Sequence, residues 1–290
     1  YDGLDTCAVY GLCATSCPVD IKTGDLVKRL RRENHSAISN RVAIFVANNF
    51  RLTTYLVKAA LKTGEAINKL FGENAMKQLT GSMKKVIPEF PLWSNHLLTG
   101  RIKGNYKKSS KPAGRTEVVY FPTCISRVMG GVKDKKSIPD TFLSVSSKSG
   151  IEVIIPDGIE ALCCGQLFSS KGYNQAFAIK SNETIEKLWR VTNEGAIPVI
   201  LDVTSCSHTL QQCRPALNDI NKGRFDRLII LDSIDYLHDH VIPVSVNAGK
   251  KENIVLHPVC SLQKMGLDRK FVAVASHFSD HVNVPVHAGC

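Results

Sequence analysis

The chain has 290 residues, a formal net charge of +11 and a hydrophobic fraction of 43%. That length accommodates two domains and that fraction a sizeable core, which excludes a disordered tail and a small disulfide-stapled module. Ten cysteines in a chain this large, with no visible signal peptide, point to metal before disulfides.

The sequence opens on Tyr1 rather than Met and closes on Cys290, inside a motif described below, so a fragment cut at both ends is expected. Residues 1–22 read as a cysteine-rich loop. Cys7-x2-Tyr10-x2-Cys13-x3-Cys17-Pro18 is in register with the bacterial ferredoxin run, Cys-x2-Cys-x2-Cys-x3-Cys-Pro, with Tyr10 in the second slot. A tight loop brings several soft thiolates onto one cluster, and the proline turns the chain away after the last ligand. In two-cluster ferredoxins the last cysteine of a run serves the other cluster, so Cys17 is expected to ligate a cluster whose main run lies upstream. Tyr10 leaves one thiolate short, which favours a 3Fe-4S cluster, or a 4Fe-4S cluster with an outside or non-cysteine ligand. A zinc loop is the alternative.

From Thr23 to about residue 99 the pattern is helical. Val42, Phe45, Val46 and Phe50, then Tyr55, Leu56, Ala59 and Ala60, recur at three- and four-residue steps, and Pro88 and Pro91 end the region. Residues 100–116 are rich in Gly, Lys and Ser and read as a basic linker. Lys28, Arg29, Arg31 and Arg32 form one basic group, and Arg101, Lys103, Lys107, Lys108, Lys111 and Arg115 a second. Such groups suit an acidic partner or an anionic membrane surface, or are simply solvated. Aromatic interleaving is confined to Tyr106, so no nucleic-acid partner is expected. No apolar run approaches the roughly 18 residues of a membrane span.

At Glu117 the character changes. Strands are expected at Val118–Phe121, Val153–Ile155, Pro198–Leu201, Leu228–Leu231, Ile254–Leu256 and Val282–Val286, with helical stretches between, the clearest being Asn174–Thr192. This alternation argues a layered α/β fold. An internal repeat is also present. Tyr120-Phe-Pro-Thr-Cys124 parallels Leu256-His-Pro-Val-Cys260, each cysteine is followed by Met-Gly (Met129-Gly130 and Met265-Gly266), and each unit runs to a further cysteine, Cys163-Cys164 and Cys290.

The second cysteine constellation is Cys124, Cys163-Cys164-Gly165 and Cys206-Ser-His208. Adjacent thiolates bridge several irons more easily than they bind one tetrahedral ion, and Gly165 permits a sharp turn with positive φ beside the metal. Cys124 and Cys206 follow expected strands, whose carboxyl ends share one sheet edge. His208 reads as structural or as a ligand. Cys213, two helical turns beyond Cys206, reads as a buried thiol. Cys260 and Cys290 repeat the constellation incompletely. Four thiolates would also satisfy zinc. Asp202, Asp232 and Asp235 follow strands and read as helix caps. No dinucleotide fingerprint, P-loop, zinc-protease or nucleophile-elbow motif occurs, and no catalytic residue is assigned.

The stretch from Cys7 through Cys13 and Cys17 to Gly24 resembles the second ferredoxin run of FAD-linked D-lactate dehydrogenases that carry a fused iron–sulfur C-terminal half. Cys124…Cys163-Cys164-Gly165…Cys206 and Cys260…Cys290 resemble the tandem cysteine-rich CCG modules of the same proteins, shared with the glycolate oxidase iron–sulfur subunit and the heterodisulfide reductase B subunit. Those modules usually end Cys-x-x-Cys, whereas Ser-His-Thr follows Cys206 here. The resemblance implies Cys7, Cys13, Cys17, Cys124, Cys163, Cys164, Cys206, Cys260 and Cys290 as metal ligands. It implies iron–sulfur cofactors of 4Fe-4S or 3Fe-4S type, and FAD in an upstream domain or flavoprotein subunit. Electrons would pass to a quinone or cytochrome. The implied organisation is half a ferredoxin-like domain (1–22), a helical region (23–99), a linker (100–116), a first CCG module (117–250) and the start of a second (251–290). A cytoplasmic place, with peripheral contact at the inner face of the membrane as a variant, goes with it. A zinc-bound docking module is the rival.

Overall fold

The computed structural model describes all residues except 1, 10, 12, 14–16, 20, 88–89, 97, 101, 103–106, 109–116, 132–134, 246–249, 251 and 287–290. Tyr10, Cys290 and most of the expected linker therefore lie outside the described residues.

Among the described residues, helix formers spaced at helical period give the amino-terminal part the helices α1 Asp2–Thr6, α2 Thr23–Glu33, α3 Ala37–Asn48, α4 Phe50–Phe71 and α5 Ala75–Val86. Ser36 caps α3 by accepting from Ser39 N, and α4 stops at Gly72, whose φ of 98° suits glycine. The helical period is as expected, and only part of the recurring apolar set turns inward. Ala43, Ala47, Phe50, Thr54 and Leu61 turn inward, while Val42, Phe45, Tyr55 and Leu56 are exposed.

Two residues of the expected linker form a strand, β1 Lys107–Lys108, which pairs in parallel with β3 Glu152–Ile155. Edge pairing is made by the backbone, so lysines there leave no apolar signal. β3 lies beside β2 Glu117–Phe121. The helices between them are α6 Cys124–Met129 and α7 Ile138–Lys148. After β3 come α8 Gln166–Ser169 and α9 Asn174–Val191. The chain then crosses to the other side of β2 as β4 Val199–Leu201, followed by α10 Thr204–Gln211, α11 Asp219–Phe225, β5 Ile230–Asp232 and α12 Ser233–Tyr236. The sheet order is β1-β3-β2-β4-β5, all parallel. Each of β2 to β5 lies within about two residues of its expected place. The class is mixed α/β with a parallel sheet, as expected.

Parallel strands covered on both faces read as unbroken apolar runs. Val118, Val119, Tyr120 and Phe121 are at most 1% exposed, and burying each contributes about 1.5–3 kcal/mol. Tyr120 stacks on Phe142 of α7 at 4.0 Å, and Tyr236 donates to Ser146 Oγ at 2.7 Å. On the other face α9 turns Ala176, Lys180, Thr184, Ile185 and Leu188 inward.

The helical region packs on this sheet domain. Helix α3 runs against α9, and His35 stacks on Tyr173 at 4.0 Å. Beyond the sheet, β6 Ile254–Val255 and β7 Val282–Asn283 form a separate parallel pair, joined by α13 Cys260–Lys264 and α14 Asp268–Ser276. Helix α13 packs on α10.

Candidate metal centre

The chain leaves β2 toward β3 on one side and returns to β4 on the other, so β2 marks the switch in strand order, where open α/β sheets form their sites. Cys124 opens α6 after β2, Cys163 and Cys164 follow β3, and Cys206 lies in the first turn of α10 after β4. Residues up to 82 positions apart in sequence are therefore neighbours on one edge. Cys124 Sγ is 4.0 Å from Cys163 Sγ. The Cys163 and Cys164 thiols hydrogen-bond each other, and Cys164 meets Cys206. The result is a string of four sulfurs, three of them buried at 1%, 2% and 6% exposure for Cys163, Cys164 and Cys206.

The loop that presents the cysteine pair is held at every carbonyl. Arg127 of α6, only 3% exposed, donates to Ile159 O and to Leu162 O, the latter at 2.6 Å. Thr54 of α4 donates to Glu160 O at 3.3 Å, Lys180 of α9 to Ala161 O at 2.8 Å and Thr184 to Cys163 O at 2.9 Å. Lys180 is also ion-paired with Glu183. Gly165 has a φ of 85°, the positive value expected after the cysteine pair, and a Cβ there would lie 2.5 Å from the Phe177 ring. Its N–H donates to Cys163 Sγ at 3.4 Å.

Two aspartates fix the other cysteine turns. Asp202 is no cap: it accepts from Tyr120 OH at 2.7 Å and Thr123 N at 3.0 Å, pinning the residue before Cys124. Asp232 does cap α12, accepting from Ile234 N, and its other oxygen accepts from Ser207 Oγ at 2.7 Å, next to Cys206. Asp235 pairs with Lys270 at 2.7 Å.

Electrostatically the thiols sit high. Hydrogen bonding to Cys163 and burial push the Cys124 thiol far up. The bond from Cys124 favours the Cys163 thiolate, but Cys164 and burial outweigh it and push Cys163 up to about 12. Cys164 is raised too: the bond to Cys206 and burial overcome the opposing bond from Cys163. Metal binding to such thiols must release protons. The buried guanidinium of Arg127 faces Cys124 and Cys163 and offsets part of the negative charge that thiolates would bring.

The donor set is sulfur, with no carboxylate in the string. It fits an iron–sulfur group, for which Cys124, Cys163, Cys164 and Cys206 are the residues that would serve. Among the described residues no three His, Cys, Asp or Glu side chains are grouped as ligands of a single ion.

The amino-terminal run is built differently. Cys7 and Cys17 are half-buried, Cys13 is exposed, and these three do not form a ligand group. Cys13 Sγ hydrogen-bonds Thr23 Oγ1, and Val9 N donates to Cys7 Sγ at 3.4 Å. Arg31 ties the loop down. It is 8% exposed and donates to Leu4 O at 2.7 Å, Cys7 O at 2.8 Å and Ser170 O at 2.6 Å. Within the first basic group, Arg31 is thus a structural staple rather than a solvated charge.

The second unit shares part of the first unit's geometry. Val259, like Thr123, is extended, and Cys260, like Cys124, begins a helix after a strand and a proline. The glycines differ. A Cβ on Gly130 would meet Ser126 O at 2.3 Å, whereas Gly266 has a φ of 68° and open space. Cys213 is fully buried but lies beyond the end of α10, so it does not continue the Cys206 face as expected. His208 is half-buried and lines a neighbouring cavity.

Sequence reasoning missed Arg127, Lys180 and Thr184, and gave Asp202 the wrong role, that of a helix cap. Only the four-residue step from Lys180 to Thr184, on the inward face of α9, could have signalled two of them.

The chain matches no curated protein and no solved structure. Residues 118–211, which hold Cys124, Cys163, Cys164 and Cys206, match the CCG cysteine-rich domain family, a match that supports an iron–sulfur type of protein.

Proposed function

We propose that this chain is the iron–sulfur electron-transfer portion of a flavin-dependent 2-hydroxy-acid dehydrogenase of the D-lactate type. It takes electrons from an upstream flavin domain or flavoprotein subunit and passes them to a quinone or cytochrome. The observation that carries the reading is the string of four sulfurs, three of them buried, at the switch point of the parallel sheet. A cluster held there supplies one-electron storage. The chain's own residues do the rest: Arg127, Lys180 and Thr184 fix the loop, Arg127 offsets charge, and burial excludes water from Cys163 and Cys164. The ferredoxin-like run Cys7, Cys13 and Cys17 and the second unit at Cys260 and Cys290 would extend the electron path. The outward apolar stripe of Val42, Phe45, Tyr55 and Leu56 gives a flavin domain a surface to cover.

Assignment to a glycolate oxidase iron–sulfur subunit or a heterodisulfide-reductase-like complex rests on the same sulfurs and differs only in partner. A string of thiols favours several bridged irons over the single central ion of the zinc reading. No helix among the described residues is long and apolar enough to cross a membrane, and peripheral contact would rest on the basic groups.

Anaerobic purification followed by iron, acid-labile sulfide and zinc analysis tests the proposal. Iron and sulfide in equal amounts, with a paramagnetic signal that changes on dithionite reduction, are expected. Stoichiometric zinc without sulfide would overturn it. Reduction of the clusters by D-lactate in the presence of the flavin partner, and not by glycolate, would settle the substrate.

A further inference from the structure

A cavity of about 610 Å³ opens between the amino-terminal cysteine loop and the sheet domain. Val9 and Gly11 of the loop and the first turns of α2 form one wall. Helix α8 and the end of α10 form the other, and Lys264 reaches in from α13. No described cysteine lines it, so the space is separate from both sulfur groups.

Its lining is cationic. Among the described residues Lys22, Lys28, Lys264 and His208 face it against one carboxylate, Asp25, which stands 3.8 Å from Lys28 Nζ. Ser169 and Gln212 add neutral hydrogen-bonding groups. Lys264 Nζ comes so close over the loop that a Cβ on Gly11 would be 2.8 Å from it. A concave space of this volume is in the range of small-ligand sites, and excess positive charge in a concavity attracts and concentrates anions.

We propose that this cavity binds a small dianion of the dicarboxylate or phosphate class, held by Lys28 and Lys264 with Lys22 at the mouth. Ser169 and Gln212 supply directional hydrogen bonds. The site rests on the cavity and its charges alone and is independent of what the thiols hold. Its place is nonetheless telling: α10 carries Cys206 in its first turn and His208 in the cavity wall, and the opposite wall belongs to the loop that carries Cys7 and Cys13. A bound dianion would lie between the two sulfur groups.

Isothermal titration of the full chain at low ionic strength, with succinate in one arm and inorganic phosphate in the other, tests this. Saturable binding of at least one anion, near one per chain, is expected, and the arm that binds more tightly assigns the class. Lys28→Gln combined with Lys264→Gln is expected to weaken binding by roughly tenfold or more. Lys264→Arg should retain it, and Lys148→Gln, at an exposed site at the end of α7, should leave it unchanged. Absence of saturable binding of both anions up to about 10 mM, or an equal loss in the Lys148 variant, would overturn the proposal.

Discussion

Around Cys163 and Cys164 every carbonyl from Ile159 to Cys163 accepts a side-chain hydrogen bond, while Cys13 lies exposed on a loop tied down through Arg31. The first region brings its thiols together through protein contacts alone. The second gives Cys7 and Cys13 hydrogen-bond partners outside the thiols themselves, Val9 N and Thr23 Oγ1. The difference teaches that a cysteine pattern of high specificity and a preorganised site are separate properties. The ferredoxin-like run has the stronger spacing signal, and the CCG loop has the stronger scaffold.

The comparison breaks first at Arg127. Replacing it by Met leaves the buried Ile159 and Leu162 carbonyls without the guanidinium, at a cost of about 3 kcal/mol or more. Urea unfolding of the full chain measures this, and a midpoint equal to wild type would show that the loop does not depend on it.

Next in size is the effect of alkali on metal-free protein. The bond to Cys164 and burial raise the Cys163 thiol from an ordinary value of 9.0 to about 12. Between those values the unfolded chain has lost the proton that the folded chain retains, so unfolding is favoured as pH rises. Stability is expected to be full below about pH 9 and to fall from there toward pH 12. The metal-loaded protein, whose thiols are already deprotonated, should lack this loss.

A smaller loss is expected for Arg31→Gln, about 2 kcal/mol in docking the amino-terminal loop. Cys7 should then alkylate faster by peptide mass spectrometry, while Cys163 and Cys164 stay protected. Thr184→Val removes one bond to Cys163 O and should cost about 1 kcal/mol of stability. Cys213→Ala, in the core but outside the sulfur string, should cost about 1 kcal/mol and leave iron content unchanged. A drop in iron would bring Cys213 into the ligand set.

Much of the sheet was legible because two-sided burial writes itself as β-branched runs, and Val118–Phe121 shows it. The positive φ at Gly165 was legible for a comparable reason, since the turn has few alternatives. The outward stripe of Val42, Phe45, Tyr55 and Leu56 was not: periodicity fixes a helix but not which of two half-apolar faces turns in, and here the smaller residues Ala43 and Ala47 allow closer packing. β1 was illegible because its pairing is made by backbone alone. Arg127 and Lys180 were illegible because a charged residue that satisfies buried partners carries the same letter as a solvated one, and Asp202 was noticed but read as a cap for the same reason.

The strand order has a consequence for how the protein is made. Because β4 follows β3 in the chain while lying on the other side of β2, Cys206 is the last of the four sulfurs to leave the ribosome. The four-sulfur group is thereby complete only after most of the domain has been synthesised, and a nascent chain arrested before that residue would hold three of its thiols.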